Sequence, residues 1–154
     1  VSGAAWELAQ FNVAQLRAPL DSPELADFVS ALEHINALAE TSPGFVWRLQ
    51  DDAGDATALR PLGEAALVNM SVWRDVAALN DYVYRSAHMD YLRRRREWFE
   101  RPQGAALVLW WVPAGTRPTV TEALERLGRL RDQGPSGLAF TFGQSFPPPA
   151  ELPR

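Results

Sequence analysis

His88 and Arg95 stand seven residues apart in YVYRSAHMDYLRRRREWFE, residues 82–100, and give this chain its clearest chemistry. An imidazole takes or gives a proton near neutral pH. A guanidinium is a permanent cation that can hold an enolate, phenolate or carboxylate. On one continuous helix of ~100° per residue, Tyr84, His88, Tyr91, Arg95, Trp98 and Phe99 share a narrow stripe. Such a stripe is a poor choice for a dry core, because buried polar groups need partners. It reads as the wall of a pocket. The alternative is that Arg95 pairs with an acid and His88 bonds a carbonyl within an ordinary core. Arg93 points away from the stripe, with Arg94 and Arg96 on its flanks. At i,i+4 spacing Arg93 can pair with Glu97 and Arg96 with Glu100, which describes a solvated face rather than a nucleic-acid-binding run.

The residues that could complete a pocket lie on strands. LVNMSVW puts Asn69, Ser71 and Trp73 on one face by alternation, and LAQFN puts Gln10 and Asn12 together. Asn12, Asn69, Ser71 and Trp73, with Tyr84 and Tyr91, are expected to bind and orient a small molecule around His88 as general acid/base and Arg95 as anion holder. Alternation leaves open which sheet face Asn69 takes, and which of Trp47 and Arg48 points inward.

Composition narrows the functional classes. A net charge of -4 argues against a general polyanion binder, and all 15 basic residues are Arg. With no Cys, neither a thiolate zinc site nor a thiol nucleophile is possible. DDAGD, residues 51–55, is a turn signal without the ligand spacing of a calcium loop, so no metal is expected. No apolar run approaches the ~20 residues of a membrane helix. The opening VSG reads as a tag remnant rather than a signal peptide, and a soluble cytoplasmic protein is expected.

The positioning elements follow from periodicity. Strands are expected over 6–16, 44–50, 65–73 and 105–113, with a short return strand over 56–63. A helix capped by Ser22, with Pro23 at its first position, runs to about Glu40 and carries Leu25, Phe28, Val29, Leu32, Ile35 and Ala39 inward. His34 falls opposite that stripe and is expected in solvent. A helical region from Asp75 to Phe99 has a weak point near Ser86. Thr119 and Glu122 form a capping box before a last helix. A Gly/Pro-rich arm closes the chain, giving one domain over 5–132 and an arm over 133–154.

The resulting order, β-α-β-β-α-β, is the ferredoxin-like split βαβ arrangement of the α+β class: a four-stranded antiparallel sheet with two helices on one face. In ALVLWWV, residues 106–112, both alternating sets are apolar, so both faces of that strand should be buried. A twofold partner supplies the second cover most simply, and a homodimer with facing sheets is expected.

WELAQFNVAQL, FVWRLQ, LVNMSVW, YVYRSAHMDYLRRRREWF and VLWWVPAGTRPTVTEAL resemble the uncharacterised bacterial domain-of-unknown-function family 3291, within the dimeric α/β-barrel superfamily. That superfamily includes antibiotic-biosynthesis monooxygenases, cyclases, haem enzymes and proteins without clear catalysis. The resemblance implies a dimeric barrel with a ligand pocket between sheet and helices. The favoured expectation is an enzyme of monooxygenase or cyclase type acting on an aromatic or polyketide-like molecule, without a tightly held cofactor. A non-catalytic binding dimer is the alternative, and a haem protein with His88 as axial ligand is a third reading.

Overall fold

A computed structural model describes residues 5–50, 57 and 59–149. Strand β1 is Trp6–Gln15, followed by a short 3-10 turn, Pro23–Leu25, and helix α1, Ala26–Thr41. Strands β2, Phe45–Arg48, and β3, Ala66–Trp73, come next. Three helices follow: α2, Val76–Arg85; α3, His88–Arg93; and α4, Arg95–Trp98. Strand β4, Leu107–Pro113, and helix α5, Val120–Gln133, complete the elements. The turn at 51–55 lies outside the described residues, and of the return strand expected over 56–63, residues 59–63 run as coil and turn.

The sheet order is β2-β3-β1-β4, and each pairing is antiparallel. This is the ferredoxin-like topology that the element order predicts. Register places Gln10 opposite Ser71, Asn12 opposite Asn69, and Leu8 opposite both Trp73 and Trp111. One face therefore carries Leu8, Gln10, Asn12, Asn69, Ser71 and Trp73, and α1 and α2 pack over it through Ala39, Ala78 and Leu79. The turn between α1 and β2 needs Gly44, whose φ is +85° and whose added Cβ would sit 2.5 Å from the Ala78 Cβ. Both the left-handed backbone and the close approach of α2 exclude a side chain there.

The opposite face carries Ala9, Phe11, Val68, Met70, Val72, Val108, Trp110 and Val112. Helix α5 covers it with Ala123, Leu127 and Leu130. Thr119 caps that helix, its Oγ1 accepting from Glu122 N at 3.1 Å. Here the structure corrects the premise behind the expected dimer. Strand β4 is indeed buried on both faces, but the second cover is a helix of the same chain. The burial of Trp110 and Val112 therefore requires no partner sheet.

The C-terminal arm covers the edge of β4. Leu109 N donates to Phe140 O and Phe140 N to Leu109 O, both at 2.8 Å, and Trp111 Nε1 donates to Phe146 O at 2.9 Å. Phe140 is fully buried. The arm thus occupies backbone groups that an open sheet edge would expose.

Two local expectations change. Ser22 does not cap α1: its Oγ donates to Pro19 O at 2.6 Å, and the chain enters the helix through the 3-10 turn. The helix expected over 75–99 is three short pieces. Asp75 caps the first, accepting from Ala78 N at 2.9 Å. Ser86 ends it, because its hydroxyl bonds Tyr82 O and accepts from His88 N at 3.1 Å. A serine that satisfies the backbone of both flanking helices competes with continuous helix.

Candidate ligand cavity

A cavity of about 340 Å³ lies between the polar sheet face and helices α1–α4. Its lining includes every residue singled out in the sequence: His88, Arg95, Tyr84, Tyr91, Asn12, Asn69, Ser71 and Trp73. His88 and Asn69 are therefore on the same side of the sheet, the point that alternation alone left open. The volume is at the small end of the ~300–1,000 Å³ usual for ligand sites.

The sheet side is a network of hydrogen bonds. Gln10 Nε2 donates to Asn69 Oδ1 at 2.6 Å and to Ser71 Oγ at 2.8 Å. Asn12 Nδ2 donates to Gln10 Oε1 at 3.0 Å and to Asn69 Oδ1 at 3.3 Å. Trp73 Nε1 donates to Ser71 Oγ at 2.8 Å. Ser71 Oγ thus accepts twice, which leaves its own proton to donate. The Asn69 amide nitrogen has no partner among the described residues. Strand pairing holds these groups in place, because Gln10 and Ser71 are direct cross-strand neighbours.

The helix side is aromatic. Tyr82 stacks on Trp73 with ring centroids 5.0 Å apart, and the His88 ring lies 4.8 Å from Tyr82. Burial pushes the Tyr82 hydroxyl well above the phenol range, and the nearby Arg48 charge opposes that shift. Tyr82 therefore stays protonated and donates to Ile35 O at 3.2 Å.

His88 Nδ1 sits 3.2 Å from Val83 O. That carbonyl is among the last of α2, which have no partner within the helix. A carbonyl only accepts, so Nδ1 carries the proton and Nε2 keeps its lone pair. Burial lowers the His88 pKa below its ordinary value, against an opposing contribution from the Val83 bond. The ring is therefore neutral at pH 7, with one tautomer selected by the break at Ser86.

Arg95 and Tyr84 are less enclosed than a continuous helix implies. Arg95 is exposed, donates to Leu92 O at 2.7 Å, and also borders an adjoining groove with Arg96, Arg101 and Arg131. Tyr84 is exposed and meets Phe142 of the arm edge-on at 5.7 Å. The neighbouring arginines pair differently from the i,i+4 expectation. Arg93 reaches Asp90 at 3.5 Å, while Arg94 bonds Asp27 at 2.7 Å and Glu97 at 2.9 Å and lies over the Trp98 ring. The break at Arg94 changes which side chains face one another. His34 is exposed, as expected.

Tyr82 and Asn36 also line the cavity and carry no sequence expectation; Arg48, left open against Trp47, is the inward one of that pair, and Gln10 lies on the expected face with a bonding role that alternation does not predict. Tyr82 lay within the stretch that carried the clearest chemistry, but a continuous helix turns it off the stripe. Arg48 was hidden by a register shift between Phe45 and Trp47. Strict alternation separates residues 45 and 48, yet Phe45 packs on Trp73 and Arg48 pairs opposite Ser71, both on the cavity side. Trp47 joins the other face.

Among the described residues, no group of three or more His, Cys, Asp or Glu could hold a metal ion, and no helix is long and apolar enough to cross a membrane.

Sheet order and cavity define a ferredoxin-like α+β protein with a small-molecule-sized space between sheet and helices. The chain belongs to the family described as Domain of unknown function (DUF3291), whose model matches residues 7–154. No curated protein matches it. Solved structures similar to it include SnoaB, a cofactor-independent oxygenase from Streptomyces nogalater, at 19% identity, covering 74% of this chain and 96% of that one, with a TM-score of 0.43. PA3566 from Pseudomonas aeruginosa is similar at 13% identity, covering 75% and 100%, with a TM-score of 0.49. The heme-degrading protein Rv3592 from Mycobacterium tuberculosis is similar at 16% identity, covering 75% and 99%, with a TM-score of 0.38.

Proposed function

We propose that this protein is a small-molecule enzyme in which His88 removes a proton from an aromatic or polyketide-like substrate. The observation that carries the reading is the His88 ring itself. It is neutral, its Nδ1–H is tied to Val83 O, and its Nε2 lone pair is unpartnered among the described residues of a cavity wall. That is the state a general base must hold before reaction. Abstraction next to a carbonyl leaves negative charge on oxygen. The Ser71 hydroxyl and the Asn69 amide are the sheet-side donors for it. Tyr82 and Tyr91 offer flat apolar surface for a planar substrate. The same step serves ring closure and cofactor-free oxygenation.

The test is a turnover screen of aromatic polyketide intermediates with wild type and His88→Ala. Loss of ~10²–10⁴-fold in kcat/KM, the usual contribution of a general base, is expected in the variant. Unchanged turnover would remove His88 from the chemistry. Saturable binding without product in the wild type would instead favour a non-catalytic binder.

A second reading shares the key observation. A metal-bound histidine usually donates its other N–H to a carbonyl or carboxylate, as His88 does, and an axial haem ligand would look the same. A cavity of about 340 Å³ does not take a whole tetrapyrrole without moving its walls, so the haem does not fit the site as it stands. Haem titration with no Soret shift is the expected result.

A further inference from the structure

We propose that the cavity takes its ligand as an anion, a carboxylate or an enolate or phenolate oxygen, and that Arg48 rather than Arg95 holds the charge. The inference rests on the reading of the cavity as a small-molecule site and adds the charge of what enters it. The Arg48 side chain is only 10% exposed, and its Nε is buried without a hydrogen-bond partner. Its recorded ion pair, to Glu40, is 3.6 Å long, and Glu40 is itself half-exposed. A guanidinium carries five N–H donors, and burying it with so few answered among the described residues is costly unless an anion completes the set. Arg48 sits beside Ser71 on the cavity face of the sheet, next to the amide cluster.

The surroundings agree on sign. The described lining contains two arginines, the neutral His88 and no Asp or Glu. Such a wall repels cations and favours anions. Arg95 cannot hold a ligand as strongly, because it is exposed and already donates to Leu92 O. An exposed cation is screened by water, whereas a buried fork binds a carboxylate with strong, charge-assisted bonds.

The experiment is calorimetric titration of the full chain with 2-naphthoate and its neutral isostere 2-naphthamide. Naphthoate is expected to bind wild type at least ~10-fold more tightly than the amide. Arg48→Met should abolish that preference with little change for the amide, and Arg95→Met should keep most of it. Because Arg48→Met could misfold, Glu40→Gln is the second variant: removing the competing carboxylate should tighten naphthoate several-fold, about 3–10-fold, and leave the amide unchanged. Equal affinity of the two probes, binding of neither, a preference surviving Arg48→Met, or no gain in Glu40→Gln overturns the proposal. His88→Ala is expected to keep the preference. Failure of the base reading would thus appear as turnover retained in His88→Ala, and failure here as a lost charge preference in wild type.

Discussion

On one face of the sheet, Phe11, Met70, Val108 and Trp110 are fully buried beneath α5. On the other, Gln10, Asn12, Asn69 and Ser71 meet a cavity beneath α1–α4. The same strands build both faces, and adjacent residues such as Met70 and Ser71 serve opposite ones. The difference lies in the covering. A single amphipathic helix lies flat enough to fill its side. Helix α1 and three short helices, interrupted at Ser86 and Arg94, do not, and the residues beneath them are polar and answered by one another. A dry face makes the sheet stable, and a polar face with room makes it useful.

The largest effect should come from breaking the dry face. Trp110→Ala removes a fully buried side chain and is expected to cost ~3–5 kcal/mol in denaturant unfolding, a large share of the ~5–15 kcal/mol usual for a domain. A cost below ~1 kcal/mol would mean that α5 does not seal that face.

Ser71→Ala tests the polar face. It takes the acceptor from Trp73 Nε1 and one of two from Gln10 Nε2, and should cost ~1–3 kcal/mol. If stability is unchanged in urea titration, the network is dispensable, and the contrast between faces is one of space alone.

The smallest effect is the pH dependence of His88. Its pKa is lowered in the folded state, so below about 6.5 the unfolded chain binds the extra proton first. Its contribution to stability is full above that pH and is lost as pH falls through the folded value. His88→Gln should flatten this part of the stability profile between acid and neutral pH, read from thermal unfolding across buffers. A profile unchanged by the substitution would mean that the ring is solvated. The same lowered pKa puts the acid limb of any His88-dependent kcat/KM profile below about 6.5, with a plateau at neutral pH.

The sequence by itself determined a good deal. Alternation of two side chains per repeat put Asn69, Ser71 and Trp73 together, and Gln10 with Asn12, whatever the partner strand. The element order β-α-β-β-α-β fixed the strand order, because few connections of that kind are possible. The double apolar set in 107–112 correctly required cover on both faces. What supplied the cover was decided only in three dimensions, since an amphipathic stripe in 120–133 names a buried face but not the surface it meets. The break at Ser86 was visible as a weak point. Its consequence, an imidazole turned back onto Val83 O, depends on where the chain re-enters helix. Arg48 was illegible for a stricter reason. A one-residue shift in register reverses every side chain beyond it, and no local pattern in FVWR records that shift. The buried guanidinium on the cavity wall, and with it the charge expected of the ligand, comes from that tertiary pairing alone.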